Sequence, residues 1–228
     1  MTGQVIAIDG PSGSGKSTLA QALAKHLSLA YLDTGAMYRA AALWVQNNHG
    51  LDSPKQITHL VKTMDLEMAL DPANPVVVLN GRDVSNAIRA PLVSAMVSTV
   101  STVGAVRQVL IERQQAIVAT EQTAQGWAGG RGIVVEGRDI TTVVAPDAPT
   151  RLLVTASPQV RLARRAAQLA DEGQAQSAAA TGDQVLRRDR ADSAVASFQA
   201  PAPGVAVIDT TDLTASQALE KALELVRK

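Results

Sequence analysis

The 228-residue sequence contains no cysteine. Disulfides, thiolate nucleophiles and Cys-based zinc sites are thereby excluded, and a reducing compartment fits. Aromatic residues are nearly as scarce: one Phe, two Tyr and two Trp, 2% of the chain. A stacking platform for single-stranded nucleic acid needs more, so that class is set aside. A surplus of charge is missing too, because Lys+Arg and Asp+Glu both number 21 and the formal net charge is zero. Without a long-range field toward nucleic acid or an anionic membrane, any phosphate must be held by a local site. No apolar run approaches the ~20 residues of a membrane span. The opening "MTGQVIAIDG" lacks a charged leader before its short apolar run, so no signal peptide is expected. The expectation is a cytoplasmic protein with no nucleic-acid and no membrane partner. With no obvious apolar surface strip, a monomer is the default.

Aliphatic residues are what the chain has. Apolar residues make up 46% of it, enough for a sizeable core in one mid-sized α/β domain with insertions. Short β-branched runs alternate with helical patterns, as in a parallel sheet wrapped by helices on both faces. Strands are predicted at Val5 to Ile8, Ala30 to Leu32, Ile133 to Val135, Leu152 to Thr155 and Val205 to Ile208. Helices are predicted from about Ser17 to Leu27, Ala36 to Asn47 and Ala215 to Val226. Two stretches break the rhythm. Between about 60 and 102, "LEMAL" and "PVVVLNGRDV" flank a Pro-containing turn and read as an antiparallel hairpin, followed by a return to helix that runs on past residue 102. From about 157 to 198, a basic helix, the Ala/Gly/Ser/Gln-rich "DEGQAQSAAATGD" and a second charged helix follow one another. The expected division is a core of 1–59, 103–156 and 199–228, an inserted β-containing subdomain at about 60–102, and a lid at about 157–198.

The segment "GPSGSGKS" fits the phosphate-binding loop pattern G-x-x-x-x-G-K-S/T. Its glycines let successive N–H groups turn toward phosphate oxygens, and the helix that starts there adds its dipole. The nucleotide-binding stretch is therefore Gly10, Pro11, Ser12, Gly13, Ser14, Gly15, Lys16, Ser17 and Thr18. Lys16 would reach the β- and γ-phosphates and Ser17 would ligate Mg²⁺. Asp33 has two equal readings, orienting a magnesium-bound water or capping the next helix. Asp9 reads as support for the loop backbone. The three histidines, His26, His49 and His59, share no metal-binding spacing and read as surface residues.

Several P-loop classes compete. None of the five asparagines is followed by Lys, so the guanine-reading N-K-x-D of a GTPase is missing. A motor or transporter ATPase needs more chain and an acidic strand end, where only Glu136 stands, with Asp139 three residues on. A small-molecule kinase needs a compact core, an acceptor-binding insert and an Arg-bearing lid. Arg161 and Arg165 are four apart on a predicted helix and share a face. With Arg188 and Arg190 they would close over the nucleotide and exclude water.

With these residues in view, the sequence resembles the bacterial cytidylate kinases over nearly its whole length. The resemblance is carried by "IDGPSGSGKST", "YLDTGAMYRAAAL", "EGRDITTVVAPDA" and "RRDRADS". It implies a P-loop NTPase fold with a five-stranded parallel sheet, an enlarged monophosphate-binding insertion and a short lid. The implied reaction is ATP-dependent phosphorylation of CMP and dCMP. It also implies that Arg39 and Arg138 hold the acceptor phosphate with Thr34 nearby. Ser98, Arg107 and Asp139 would recognise cytosine, and Arg188 and Asp192 would lie near the acceptor sugar and the transferred phosphate. Lys16, Arg138 and Arg188 would be catalytic, and Arg161 and Arg165 would bind ATP. The chemistry agrees: cytosine offers an amino donor to a carboxylate and an acceptor nitrogen to a guanidinium, and uracil reverses both. Two buried mispairings of about 1–3 kcal/mol each would favour cytosine by roughly two to four decades. The alternative for Asp139 is a salt bridge to Arg138. Two positions depart from the family pattern: Val195 stands where an Arg is common, and Phe198 stands near a usual Pro-Leu.

Overall fold

The computed structural model describes residues 3–51, 53–171, 182, 198 and 200–226. β1 (Gln4–Asp9) is almost wholly buried, as a strand covered on both faces must be. It pairs in parallel with β6 (Gly132–Gly137) on one side and β7 (Thr150–Thr155) on the other. β2 (Ala30–Asp33) adds beside β6, and β8 (Ala206–Asp209) beside β7, giving the order β2-β6-β1-β7-β8. The expected five-stranded parallel sheet is what forms.

Alternation along the strands divides the core into two layers. Ile6, Ile8, Val134, Leu152 and Val154 pack against α1 (Lys16–Leu27) and α7 (Ala215–Val226). Val5, Ala7, Leu32, Ile133 and Val135 face Met37 of α2 (Thr34–Asn47) and Ile111 and Val118 of α5 (Gly104–Glu121). Apart from Tyr31 in the first layer and Met37 in the second, the buried side chains of both layers are aliphatic, so the scarcity of aromatics costs this core little in burial.

Outside the sheet, the structure differs from the sequence reading in three places. α3 (Pro54–Thr63) was not expected, since only Ile57 and Val61 of it are buried; Ser53 caps it, accepting from Gln56 N at 3.2 Å, and Pro54 opens it. Residue 60, the expected insertion boundary, falls inside this helix. The hairpin is a three-stranded antiparallel sheet of β3 (Leu66–Met68), β4 (Val77–Leu79) and β5 (Arg82–Asp83). Its last turn is Asn80-Gly81, with φ of 49° and 70°, as a two-residue hairpin of this hand requires. The helical return is a short 3₁₀ turn (Ala87–Arg89), α4 (Pro91–Ser101) and α5, the last two bent by 102°. Among the described residues no single helix is long and apolar enough to cross a membrane.

Candidate active site

Parallel strands bring their C-terminal ends to one edge of the sheet, and register aligns the site there: Asp9 lies opposite Gly137 and Asp33 opposite Glu136. The chain leaves β1 through the Gly-rich loop and enters α1 at Lys16. Gly13 and Gly15 have φ of 76° and 86°, a region that side chains rarely adopt. At Gly13 a Cβ would also meet the Arg161 carbonyl oxygen at 2.4 Å, so α6 (Pro158–Asp171) can approach only a glycine.

Beyond this loop opens a cavity of about 470 Å³. Ser12, Gly13, Gly15, Lys16, Ser17 and Thr18 line it, as do Asp33, Thr34, Arg39, Arg107, Arg138, Asp139 and Arg165. Most of the residues expected to bind donor or acceptor therefore share one space. Gly10, Pro11, Ser14, Ser98 and Arg161 are not on its wall. Arg188 and Asp192, with Arg190 and Val195, lie outside the described residues.

Glu136, treated in the sequence only as an insufficient acidic strand end, sits at the centre. β6 runs two residues past its expected end and carries this carboxylate, 1% exposed, into the site. Its Oε2 is 3.6 Å from Lys16 Nζ, and its Oε1 accepts from the Tyr31 hydroxyl at 3.0 Å. Thr34 Oγ1 donates to its backbone oxygen at 2.8 Å. Burial raises its proton affinity above the usual carboxylate range, Lys16 opposes this and Asp33 adds to it. Burial also raises the Tyr31 hydroxyl's pKa and lowers that of Arg39. Arg39 Nε is buried with no hydrogen-bond partner. A cation left in this condition is suited to receive an anion.

Arg107 and Asp139 form an ion pair with each other. The alternative partner for Asp139, Arg138, is instead hydrogen-bonded to the Gly10 carbonyl and stacked on the Phe198 ring, 4.7 Å from its centroid. Ser98 is not on the cavity wall, whereas Ser101 on the same helix is. Ser101 ends α4 on the cavity wall, one helical turn beyond Ser98, whose carbonyl accepts from Thr102 Oγ1 at 2.9 Å. Asp9 does not brace the Gly-rich loop. Its carboxylate accepts from Ile140 N, Thr141 N and Thr141 Oγ1 at 2.9, 2.8 and 2.6 Å, and so fixes the turn after Asp139. Asp33 does cap α2, accepting from Ala36 N at 3.0 Å. The three histidines are exposed.

Arg89 and Arg164 also line the cavity and were not singled out in the sequence. Arg164 lies three residues after Arg161 on the same helix, a spacing that could have flagged it.

The model of the family described as "Cytidylate kinase" matches residues 6–228. A "Cytidylate kinase" of Cutibacterium acnes is 44% identical over 97% of this chain and 95% of its own length. One of Corynebacterium glutamicum is 42% identical over 98% and 94%. The crystal structure of an uncharacterized protein from Eubacterium ventriosum shares the fold, with a TM-score of 0.52, 12% identity and 99% of both chains covered.

Proposed function

The chain belongs to the cytidylate kinase family, and we propose that it transfers the γ-phosphoryl group of ATP to CMP or dCMP, releasing ADP and CDP or dCDP. The observation that carries this reading is the cavity wall, on which the P-loop Lys16 and the Arg107–Asp139 pair occur together. One part suits a triphosphate and the other the polar edge of cytosine.

The acceptor phosphate is already an ionised nucleophile, so transfer proceeds in line with no covalent enzyme intermediate. The protein's task is positioning and charge stabilisation. Lys16 leaves Glu136 for the β- and γ-phosphates, and the loop amides hold the same group. Arg39 and Arg138 neutralise the acceptor so that two polyanions can approach. Arg107 and Asp139 open their pairing to take cytosine N3 and N4, with Ser101 as a neighbouring hydroxyl. Arg188 and Asp192 act at the acceptor sugar and the transferred phosphate, within a lid that includes Arg161 and Arg165.

Hard oxygen donors gather around Glu136, whose carboxylate interacts with the Ser17 hydroxyl and the Asp33 carboxylate, all three on the cavity wall. No group of three or more His, Cys, Asp or Glu residues is placed to hold a metal among the described residues. This set fits Mg²⁺, which keeps waters and takes substrate phosphate oxygens. When bound there, Mg²⁺ would neutralise phosphate charge. The same reading includes a monomer that works in the cytoplasm.

The test is ADP release with ATP and Mg²⁺, offering CMP, dCMP, UMP, AMP and shikimate separately. Turnover confined to CMP and dCMP is expected. Equal turnover with UMP would remove the base-recognition argument, and Asp139→Asn should narrow the preference for CMP over UMP by about tenfold or more.

A further inference from the structure

The Gly-rich loop is held by side chains at alternate carbonyls. Gly10 O accepts from Arg138, Ser12 O accepts from Arg161 Nη1 at 3.1 Å, and Ser14 O accepts from Thr210 Oγ1 at 2.8 Å. Thr210 lies just after β8, is 4% exposed, and is not on the cavity wall. It is itself fixed twice by Arg164, whose Nη1 donates to Thr210 Oγ1 and whose Nη2 donates to Thr210 O, both at 2.8 Å. Its amide donates to Thr155 O at 2.8 Å. With Arg164 donating to it, the hydroxyl must spend its own proton on a carbonyl, and Ser14 O is the nearer acceptor, Thr155 O being 3.1 Å away.

No peptide bond in the described residues is cis. In a trans peptide the carbonyl and the following N–H point in opposite directions. Drawing Ser14 O toward Thr210, away from the cavity, turns the Gly15 N–H toward it, and Gly15 does line the cavity while Ser14 does not. Arg161 does the same for the Ser12–Gly13 peptide. The Arg138 tether is different in kind, because residue 11 is proline and has no N–H to aim. The glycines at 13 and 15 permit the required backbone, yet a glycine prefers no single direction. Something else must choose it.

We propose that Thr210 is a positioning residue for phosphoryl transfer: clamped by Arg164, its hydroxyl aims the Gly15 amide at the nucleotide's phosphates. The proposal rests on the reading of the loop as the ATP cradle. Thr210 never touches the nucleotide and acts through the Ser14–Gly15 peptide. Pre-aiming matters because an amide that must be turned during binding costs affinity that an oriented one keeps.

The test compares wild type, Thr210→Val, Thr210→Ala and Thr210→Ser. Val keeps the shape without the hydroxyl, and Ala removes it should the second methyl not be tolerated. KM is measured for ATP and for CMP, with the thermal midpoint alongside. KM for ATP should rise about tenfold in the Val or Ala variant, the scale of one lost orienting hydrogen bond. KM for CMP should stay within about twofold, and Ser should restore the ATP value. An unchanged KM for ATP in either variant would overturn the proposal, as would a parallel rise for CMP or failure of Ser to rescue. Wild type that does not use ATP at all would instead remove the cradle reading.

Discussion

At the scale of single residues, two of the site's cations, Lys16 and Arg107, are paired with carboxylates, and substrate must replace those partners. Lys16 beside Glu136 is the plainest case. Lys16→Met should lower turnover about 10²–10³-fold, the loss typical of one transition-state donor. It should also lower stability by up to about 3 kcal/mol, because it leaves a buried carboxylate without its counter-charge; urea unfolding checks this. Phe198, the only phenylalanine, is 1% exposed and lies under Arg138. Phe198→Leu keeps most of the bulk and removes the ring face, so KM for CMP should rise about 2–30-fold. Asp9 gives a pH signature. Burial raises its pKa against the three hydrogen bonds that favour the anion. The folded protein therefore holds that proton to higher pH than the unfolded chain. Stability from the protonated form is complete below the ordinary carboxyl value and is lost as pH rises through the raised one. Asp9→Asn has no such slope, so unfolding of the pair between about pH 4 and pH 8 should show their difference changing with pH.

At the scale of elements, the decisive contact is α6 against the Gly-rich loop. Gly13→Ala would set a Cβ 2.4 Å from the Arg161 carbonyl oxygen at a φ of 76°. KM for ATP should rise at least about tenfold, because loop and helix cannot keep their approach and the backbone is strained. The loop itself was legible, since strand, glycines, Lys16 and helix follow one another in sequence. The partners of the loop were not: Thr210 and Arg164 reach Ser14 through contacts that no local pattern encodes. α3 escaped because its exposed face of Lys55, His59 and Lys62 hides a two-residue apolar stripe, although Ser53-Pro54 marked its start. Ser98 was named on resemblance, and Ser101, one turn on, was not considered. Which of the two faces the cavity depends on where α4 stops and how α5 turns away from it, and that bend is tertiary. Asp33 could be weighed in sequence but not decided, and its helix-capping geometry required coordinates.

At the scale of the whole molecule, a neutral chain conceals a segregated one. Among the described residues, seven Lys and Arg line the cavity, against three Asp and Glu. Attraction of nucleotides is therefore short-ranged, acting within about one Debye length of the mouth. Raising salt from about 0.05 to 0.5 M should raise KM for ATP and CMP several-fold while leaving the fold intact by circular dichroism.

The strand order has a further consequence, which concerns the order in which the protein is made. β1 is synthesised first, yet its two neighbours are β6 and β7, which begin at Gly132 and Thr150. A chain still on the ribosome therefore carries a finished phosphate loop with no sheet to hold it, and Asp9, Tyr31 and Thr34 wait for partners made 132, 105 and 102 residues later. Ribosome-stalled chains that end before residue 132 should retain no ATP, however complete their Gly-rich motif, and late synonymous pauses should affect folding yield more than early ones.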